Sequence, residues 1–212
     1  MMTEAQIRNT SEQTRMRLLE AAREVFSQYG FQGATVREIC RRAEANGAAV
    51  NYHFGSKDGL LAEALNFAPL KAMQNANVMA GECPKLRLRL FIHDLIMMLL
   101  DEKNPSSQCQ IMARELADPT PALDKIVKEA IQPMHDHLGR LVHEIVGKNV
   151  NHAELRRCVH SILGQCLFYR HSQPVLQRLH PRLRYVHKEI EAIAEHIAEF
   201  SLAGIEHLKS HS

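Results

Sequence analysis

Thirteen histidines and five cysteines are the side chains with which this 212-residue sequence could hold a metal or perform nucleophilic chemistry. The cysteines, Cys40, Cys83, Cys109, Cys158 and Cys166, are odd in number, widely spaced and free of any CxxC pair. That pattern suits neither a disulfide framework nor a zinc cluster, and it reads as buried thiols. His135 and His137 are two residues apart and do not share a helix face, so they cannot chelate one ion as an i, i+4 pair would, and His93 beside Asp94 adds no third ligand. His143-Glu144 and Glu195-His196 are adjacent pairs whose side chains point about 100° apart on a helix, too far round for a base and its orienting partner. With no nucleophile motif and no phosphate-binding glycine loop, we expect no catalytic residue, no metal and no cofactor.

A different chemistry is available between Thr35 and Lys57. Thr35 and Arg37 combine a hydroxyl, a guanidinium and the start of a helix, the groups needed to hold a phosphate. Net charge is only +2, with eight Lys+Arg against six Asp+Glu in residues 1–57 and eighteen of each beyond. A local basic face matters more than the total, because only the contacted side releases counterions. The run of Arg41 and Arg42 reads equally well as a solvated face.

The elements that must position these groups are helical throughout. No useful stretch alternates apolar and polar residues, and the apolar spacing has the helical period, so an all-α fold is expected. Leu18, Ala22, Val25, Phe26 and Tyr29 form one stripe of a first helix, which Gly30 ends as a left-handed cap. Thr35 caps a second helix that buries Val36, Ile39, Cys40 and Ala43 and turns Arg37, Arg41 and Arg42 outward. After Glu44-Ala45, Asn46 caps a third helix burying Val50 and Phe54 and ending near Gly55. Three short helices with a tight turn before the last make a helix-turn-helix.

Beyond Lys57 the helices lengthen: Leu60 to about Ala80, bent or broken at Pro69; Pro84 to Leu100; and, after a loop over 101–107, Cys109 to Leu116. Asp118-Pro119-Thr120-Pro121 forms a second break. Ala122 to Val146 follows with a kink at Pro133, then Ala153 to Tyr169 or slightly beyond, and a last helix from after Pro181 to about Leu208. We place the domain boundary between residues 57 and 58. No run of apolar residues is long enough to cross a bilayer and the N-terminus is polar, so a cytoplasmic location without membrane contact is expected.

The segment TVREICRRAEANGAAVNYHFGSK, residues 35–57, resembles the DNA-binding signature of the TetR/AcrR family of transcriptional regulators. RELADPTPAL (114–123) and SILGQCLFYRHSQPVLQRL (161–179) resemble the effector domain of the CecR-like subgroup. The resemblance implies a dimeric regulator, by default a repressor of efflux or detoxification genes, that binds palindromic double-stranded operator DNA and is released by a small-molecule effector. It also implies that Lys57 grips the DNA backbone.

The sequence departs from the family pattern in the turn and recognition helix. Glu44 stands where the family usually has Gly, Asn46 where it has a Ser cap, and Gly47 and Ala49 where it has larger polar residues. Gly47, Ala48 and Ala49 offer backbone and methyl contacts, leaving Asn51, Tyr52 and His53 with hydrogen-bonding reach. Asn reads adenine bidentately and Ala touches a thymine methyl, so A·T pairs are expected among the contacted bases.

Polar or adaptable residues that interrupt apolar faces are the candidate effector contacts: Met98, Met112, Arg114, His137, Gln165 and Tyr169. Arg114 beside apolar faces needs a carboxylate, with Glu115 and Asp118 nearby, or an anionic ligand. His137 alternatively reads as a partly exposed helix residue. Dimerisation is assigned by resemblance to residues 153–169 and 190–208, with Ser161 and Gly164 permitting close approach and Leu167, Ile193, Ile197 and Phe200 supplying apolar area. Packing within one protomer is the alternative for those faces. Two rival readings, a helical hydrolase or lyase and a helical adaptor, leave the helix-turn-helix unexplained.

Overall fold

Caps and glycines divide the N-terminal third of the chain. In the computed structural model, which describes residues 4–65, 83–100, 106–147 and 150–211, α1 (Glu4–Gly33) is interrupted at Gly30 (φ 68°, ψ 178°) and one further turn reaches Gly33. α2 (Val36–Arg42) starts at Thr35, α3 (Ala49–Phe54) ends at Gly55, and α4 (Lys57–Ala64) starts at Ser56. The sequence reading of a long fourth helix through Pro69 falls largely outside the described residues.

Two compact units are formed, one from residues 1–67 with 105–128, the other from 68–104 with 129–212. The expected boundary at 57/58 therefore lies inside the first unit. The reason is packing: α6 (Ser106–Ala117) lies on α1, and α7 (Ala122–Ile126) lies on α4. Leu18, Ala22, Val25 and Phe26 of α1, Ile39 of α2, Val50 of α3 and Leu60 and Leu61 of α4 are fully buried. Tyr29, expected in the same stripe, is 48% exposed, because the stripe runs out at the Gly30 break and the ring instead receives the guanidinium of Arg42, 5.9 Å from its centroid.

Glu115 in the last turn of α6 and Thr120 in the turn before α7 explain the RELADPTPAL sequence. Glu115 is buried, and its carboxylate accepts from both the backbone N–H and the hydroxyl of Thr120, whose oxygen in turn accepts from Ala122 N. A buried carboxylate is tolerated only with donors supplied in this way, so the pair fixes the proline-rich turn.

The second unit is built from α5 (Pro84–Leu100), α8 (Gln132–Val146), α9 (His152–His171), α10 (Gln173–Leu179) and α11 (His187–His211). α5 is buried along Leu88, Phe91, Ile92, Leu95 and Ile96 and packs on α8, α9 and α11. Asn151 caps α9 through Oδ1, which accepts from Ala153 N and Glu154 N. At Pro133, where a kink is expected, the structure has a π-helical stretch, Val127–Ile131, that ends two residues before the proline. Proline has no N–H and its ring collides with the carbonyl four residues back; the wider π turn is one way for a helix to relieve that collision. α10 was not expected from the sequence, and α11 begins at His187, later than the proline at 181 suggested. Among the described residues there is no strand and no helix long and apolar enough to cross a membrane.

Candidate nucleic-acid interface

α2 is held by charge as well as by its cap. Thr35 Oγ1 accepts from Glu38 N at 3.2 Å. The Glu38 carboxylate receives both a bidentate pair from Arg41 and Nε of Arg42, each bond at 2.8 Å. The hydrogen bond from Arg41, then that from Arg42, holds the Glu38 carboxyl down to about 2. Arg42 also reaches Glu24 and the Gln28 side chain on α1. Arg41 and Arg42 are thus engaged in fixing α2, whereas Arg37 is exposed and has no hydrogen bond or ion pair among the described residues.

The turn between α2 and α3 is closed by two backbone bonds, Glu44 N to Arg41 O and Ala45 N to Cys40 O. This is the pattern of a helix C-terminus with a left-handed residue after the cap, and Glu44 adopts φ 49° to make it. The family glycine at this position has its physical reason here, since a side chain at positive φ costs about 1–2 kcal/mol that glycine avoids.

Asn46 keeps a capping function in altered form. Its Oδ1 accepts from Ala48 N at 2.9 Å and its carbonyl from Ala49 N, so residues 46–48 form a turn and the regular helix starts at Ala49 rather than directly after Asn46. Val50 and Phe54 anchor α3 inward while Asn46, Gly47, Ala48 and Asn51 are exposed, Ala49 and His53 half-buried, and Tyr52 80% exposed. Tyr52 does not pack on α1; it meets the His53 ring edge-on at 4.8 Å.

Gly59 sets the junction with α4. A Cβ there would lie 2.2 Å from the Phe54 carbonyl oxygen, so only glycine lets α4 start this close to the end of α3, with its N–H held by Ser56 Oγ. Spacing alone did not reveal this residue; a glycine three residues after a serine cap was its available signal. Lys57 lies with Nζ 4.3 Å from the Phe31 ring centroid, and partial burial lowers its pKa.

The candidate effector residues divide between the two units. Met112 and Arg114 belong to the first unit, whereas Met98, His137, Gln165 and Tyr169 belong to the second. Arg114 has neither of its expected partners: its Nη2 donates to the Gln28 carbonyl at 3.2 Å, at the C-terminal end of the regular part of α1, and Glu115 is taken by Thr120. A cation at exposed helix carbonyls is satisfied by the carbonyls and the helix dipole. His137 is 4% exposed, not a surface residue; it packs beside Phe91, and its Nε2 is buried without a hydrogen-bond partner. Burial, then the charges of Arg140 and Arg87, lowers its pKa. Met98 and Tyr169 pack on the core of the second unit. Gln165 lines a groove of about 320 Å³ between α9 and α11 and bonds to Ser161 O and Ser201 Oγ.

The residues expected at a dimer interface divide by exposure. Ile193 and Ile197 are buried in the core of their own protomer, because the inward stripe of α11 covers α5. Ser161, Gly164, Leu167 and Phe200 point outward, Phe200 with 65% of its surface exposed. Among the described residues no group of three or more His, Cys, Asp or Glu is arranged to hold a metal.

Short capped helices carrying an exposed polar face, joined to a larger all-helical unit, define a helix-turn-helix regulator, and comparison with known proteins agrees. Residues 18–64 match the family model for bacterial regulatory proteins of the TetR family, and residues 84–205 match that for the C-terminal domain of the HTH-type transcriptional dual regulator CecR. The chain belongs to the TetR family of transcriptional regulators, in the branch with the CecR C-terminal domain, and is not an enzyme. The dual regulator CecR of Shigella flexneri is 29% identical over 171 residues, 75% of this chain and 76% of that protein. UidR of Escherichia coli strain K12 is 41% identical over 61 residues, 29% and 28% of the respective chains. In fold the chain is similar to FadR of Bacillus subtilis, solved in complex with stearoyl-CoA, at TM-score 0.67 and 15% identity over 90% of this chain and 98% of that one. It is also similar to a TetR-like regulator from Rhodococcus sp. RHA1, at TM-score 0.62 and 16% identity over 91% and 96%.

Proposed function

We propose that the protein is a dimeric repressor that binds a palindromic operator through Thr35, Arg37, Asn51, Tyr52, His53 and Lys57 and is released by a small-molecule effector. The observation that carries the DNA reading is the contrast on adjacent helices: Arg41 and Arg42 are spent on Glu38, while Arg37, Asn51 and Tyr52 stand exposed. Arg37 and the Thr35 end of α2 take phosphates and set register; Asn51 reads adenine, with Ala48 and Ala49 against thymine methyls. Lys57 reaches a phosphate by leaving the Phe31 ring.

Ser161 and Phe200, which line the α9–α11 groove, and the exposed Gly164 and Leu167 on α9 support a two-fold contact with a second copy. Efflux or detoxification genes as targets rest on the resemblance of residues 114–123 and 161–179 to the CecR-like subgroup, and the stearoyl-CoA bound by the FadR neighbour supports an amphipathic effector.

The test is selection of random duplex DNA by the purified protein at near-physiological salt, repeated at higher salt. An enriched A·T-containing inverted repeat with half-sites about one helical turn apart is expected, lost as salt rises. Retention without any enriched motif would overturn the operator reading.

A further inference from the structure

We infer that the cleft between α8 and α9 is a binding site for a small multivalent oxyanion, distinct from the groove at the proposed dimer contact. The cleft is open to solvent and spans about 560 Å³, a volume comparable to that of pockets that hold small ligands. Its walls are two helix faces at matching spacing. Asp136, Arg140 and His143 lie on α8, with Gly139 and Glu144 beside them; His152, Arg156 and Val159 lie on α9, with Leu155.

The lining is charged where a site for an apolar effector would be greasy, and the charges are unequally engaged. Glu144 is paired with Arg87, which comes from α5, while Asp136, at the α8 end of the cleft, has only the ring of His135 beside it at 3.7 Å, which offsets its charge when protonated. Arg140 could pair at i±4 with either carboxylate and does so with neither. Arg156 faces it from the other helix, and among the described residues both guanidiniums lack any ion pair or hydrogen bond. Two free guanidiniums across a cleft from one another are a fork for an anion with more than one charged group, since each presents planar paired donors to a phosphate or carboxylate. His143 and His152 add ring N–H donors at the rim. Gly139 keeps the floor open: a Cβ built there meets nothing within 4 Å.

None of the six candidate effector residues and none of the proposed DNA contacts lines this cleft, so the site stands whether or not those readings do. Phosphorylated metabolites and polycarboxylates share the required chemistry.

The experiment is calorimetric titration of the full chain with inorganic pyrophosphate and, separately, with citrate, at constant ionic strength. Saturable binding of one anion per chain is expected, weakened at least tenfold in the Arg140→Ala/Arg156→Ala double variant. Gly139→Leu supplies a second arm: it plugs the cleft without altering any charge, enters open space, and should weaken binding to a similar degree with an unchanged circular dichroism spectrum. Tighter pyrophosphate assigns the site to phosphorylated ligands, and tighter citrate to polycarboxylates. Heats that stay linear into the millimolar range for both anions, or equal affinities in the three proteins, would overturn the proposal.

Discussion

The helix-turn-helix and the C-terminal helical unit position their polar side chains by different means. In the first, the start of each short helix is placed by a bond made within a few residues: Thr35 to Glu38, Asn46 to Ala48, Ser56 to Gly59. In the second, the clefts lie between whole helix faces, and the core joins α5, α8, α9 and α11 into one cluster. Local placement leaves side chains facing outward to meet a rigid partner, whereas collective placement leaves clefts whose shape depends on how whole helices lie.

The strongest challenge to this contrast is a core truncation. Leu138 is fully buried among helices from across the second unit, and Leu138→Ala should cost about 2–5 kcal/mol, read from urea unfolding. A loss no larger than that of a surface substitution would mean that the core is not shared. Gly59→Ala tests the local regime, because its Cβ meets backbone rather than a movable side chain. A cost of about 1–3 kcal/mol is expected, together with weaker DNA retention as the end of α3 is pushed aside. Asn51→Ala should leave the unfolding curve unchanged and cost about 1–3 kcal/mol of operator binding, with preference relaxed at one base position, measured by titrating the selected site. Uniform weakening on all sequences would make Asn51 a phosphate contact instead.

Much of the first regime was legible in the sequence because its rules are short-range. The caps at Thr35 and near Asn46, the apolar pairs at i, i+4 and the terminal glycines are all readable within a ten-residue window. What escaped there depended on the turn of the next helix: Tyr29, displaced by the Gly30 break, and the partners of Arg114, which come from a helix more than eighty residues away. In the second regime the helix periods were visible but their neighbours were not. Ile193 and Ile197 have the composition of an interface and the address of a core, and periodicity cannot tell these apart. The exposed ring of Phe200 and the buried, unpartnered Nε2 of His137 become visible only when helices are assembled.

Two smaller effects sharpen the comparison. Glu44→Gly should stabilise the protein by about 0.5–1 kcal/mol, because relief of the positive-φ side chain exceeds the entropy glycine loses. An unchanged or lower melting temperature would show that the exposed Arg17–Glu44 pair contributes more than its geometry suggests. His137 gives the C-terminal unit a pH signature. Its folded-state pKa lies below the ordinary 6.5, so the unfolded chain takes up a proton first as the solution is acidified. Its contribution to stability is therefore complete above about pH 6.5 and declines as pH falls toward the folded-state value. His137→Leu, which also removes the unpartnered nitrogen, should flatten the fall in urea midpoint between about pH 7.5 and 5.5; an unchanged slope would place the acid sensitivity elsewhere.

The π-helical stretch at Val127–Ile131 also bears on how this chain tolerates changes in length. A π turn holds one residue more than the α turn it replaces, so it is a single-residue insertion already absorbed by the helix. Removing one residue from α5 or α9 would rotate everything beyond it by about 100° and turn buried faces to water. Removing one residue from Val127–Ile131, with Pro133→Ala to restore the missing N–H, should restore ordinary helical winding and keep the faces on either side in register. The same stretch contains the point, between Lys128 and Glu129, where the chain passes from one compact unit to the other. A change of one residue at this crossing is therefore expected to re-sort neither core.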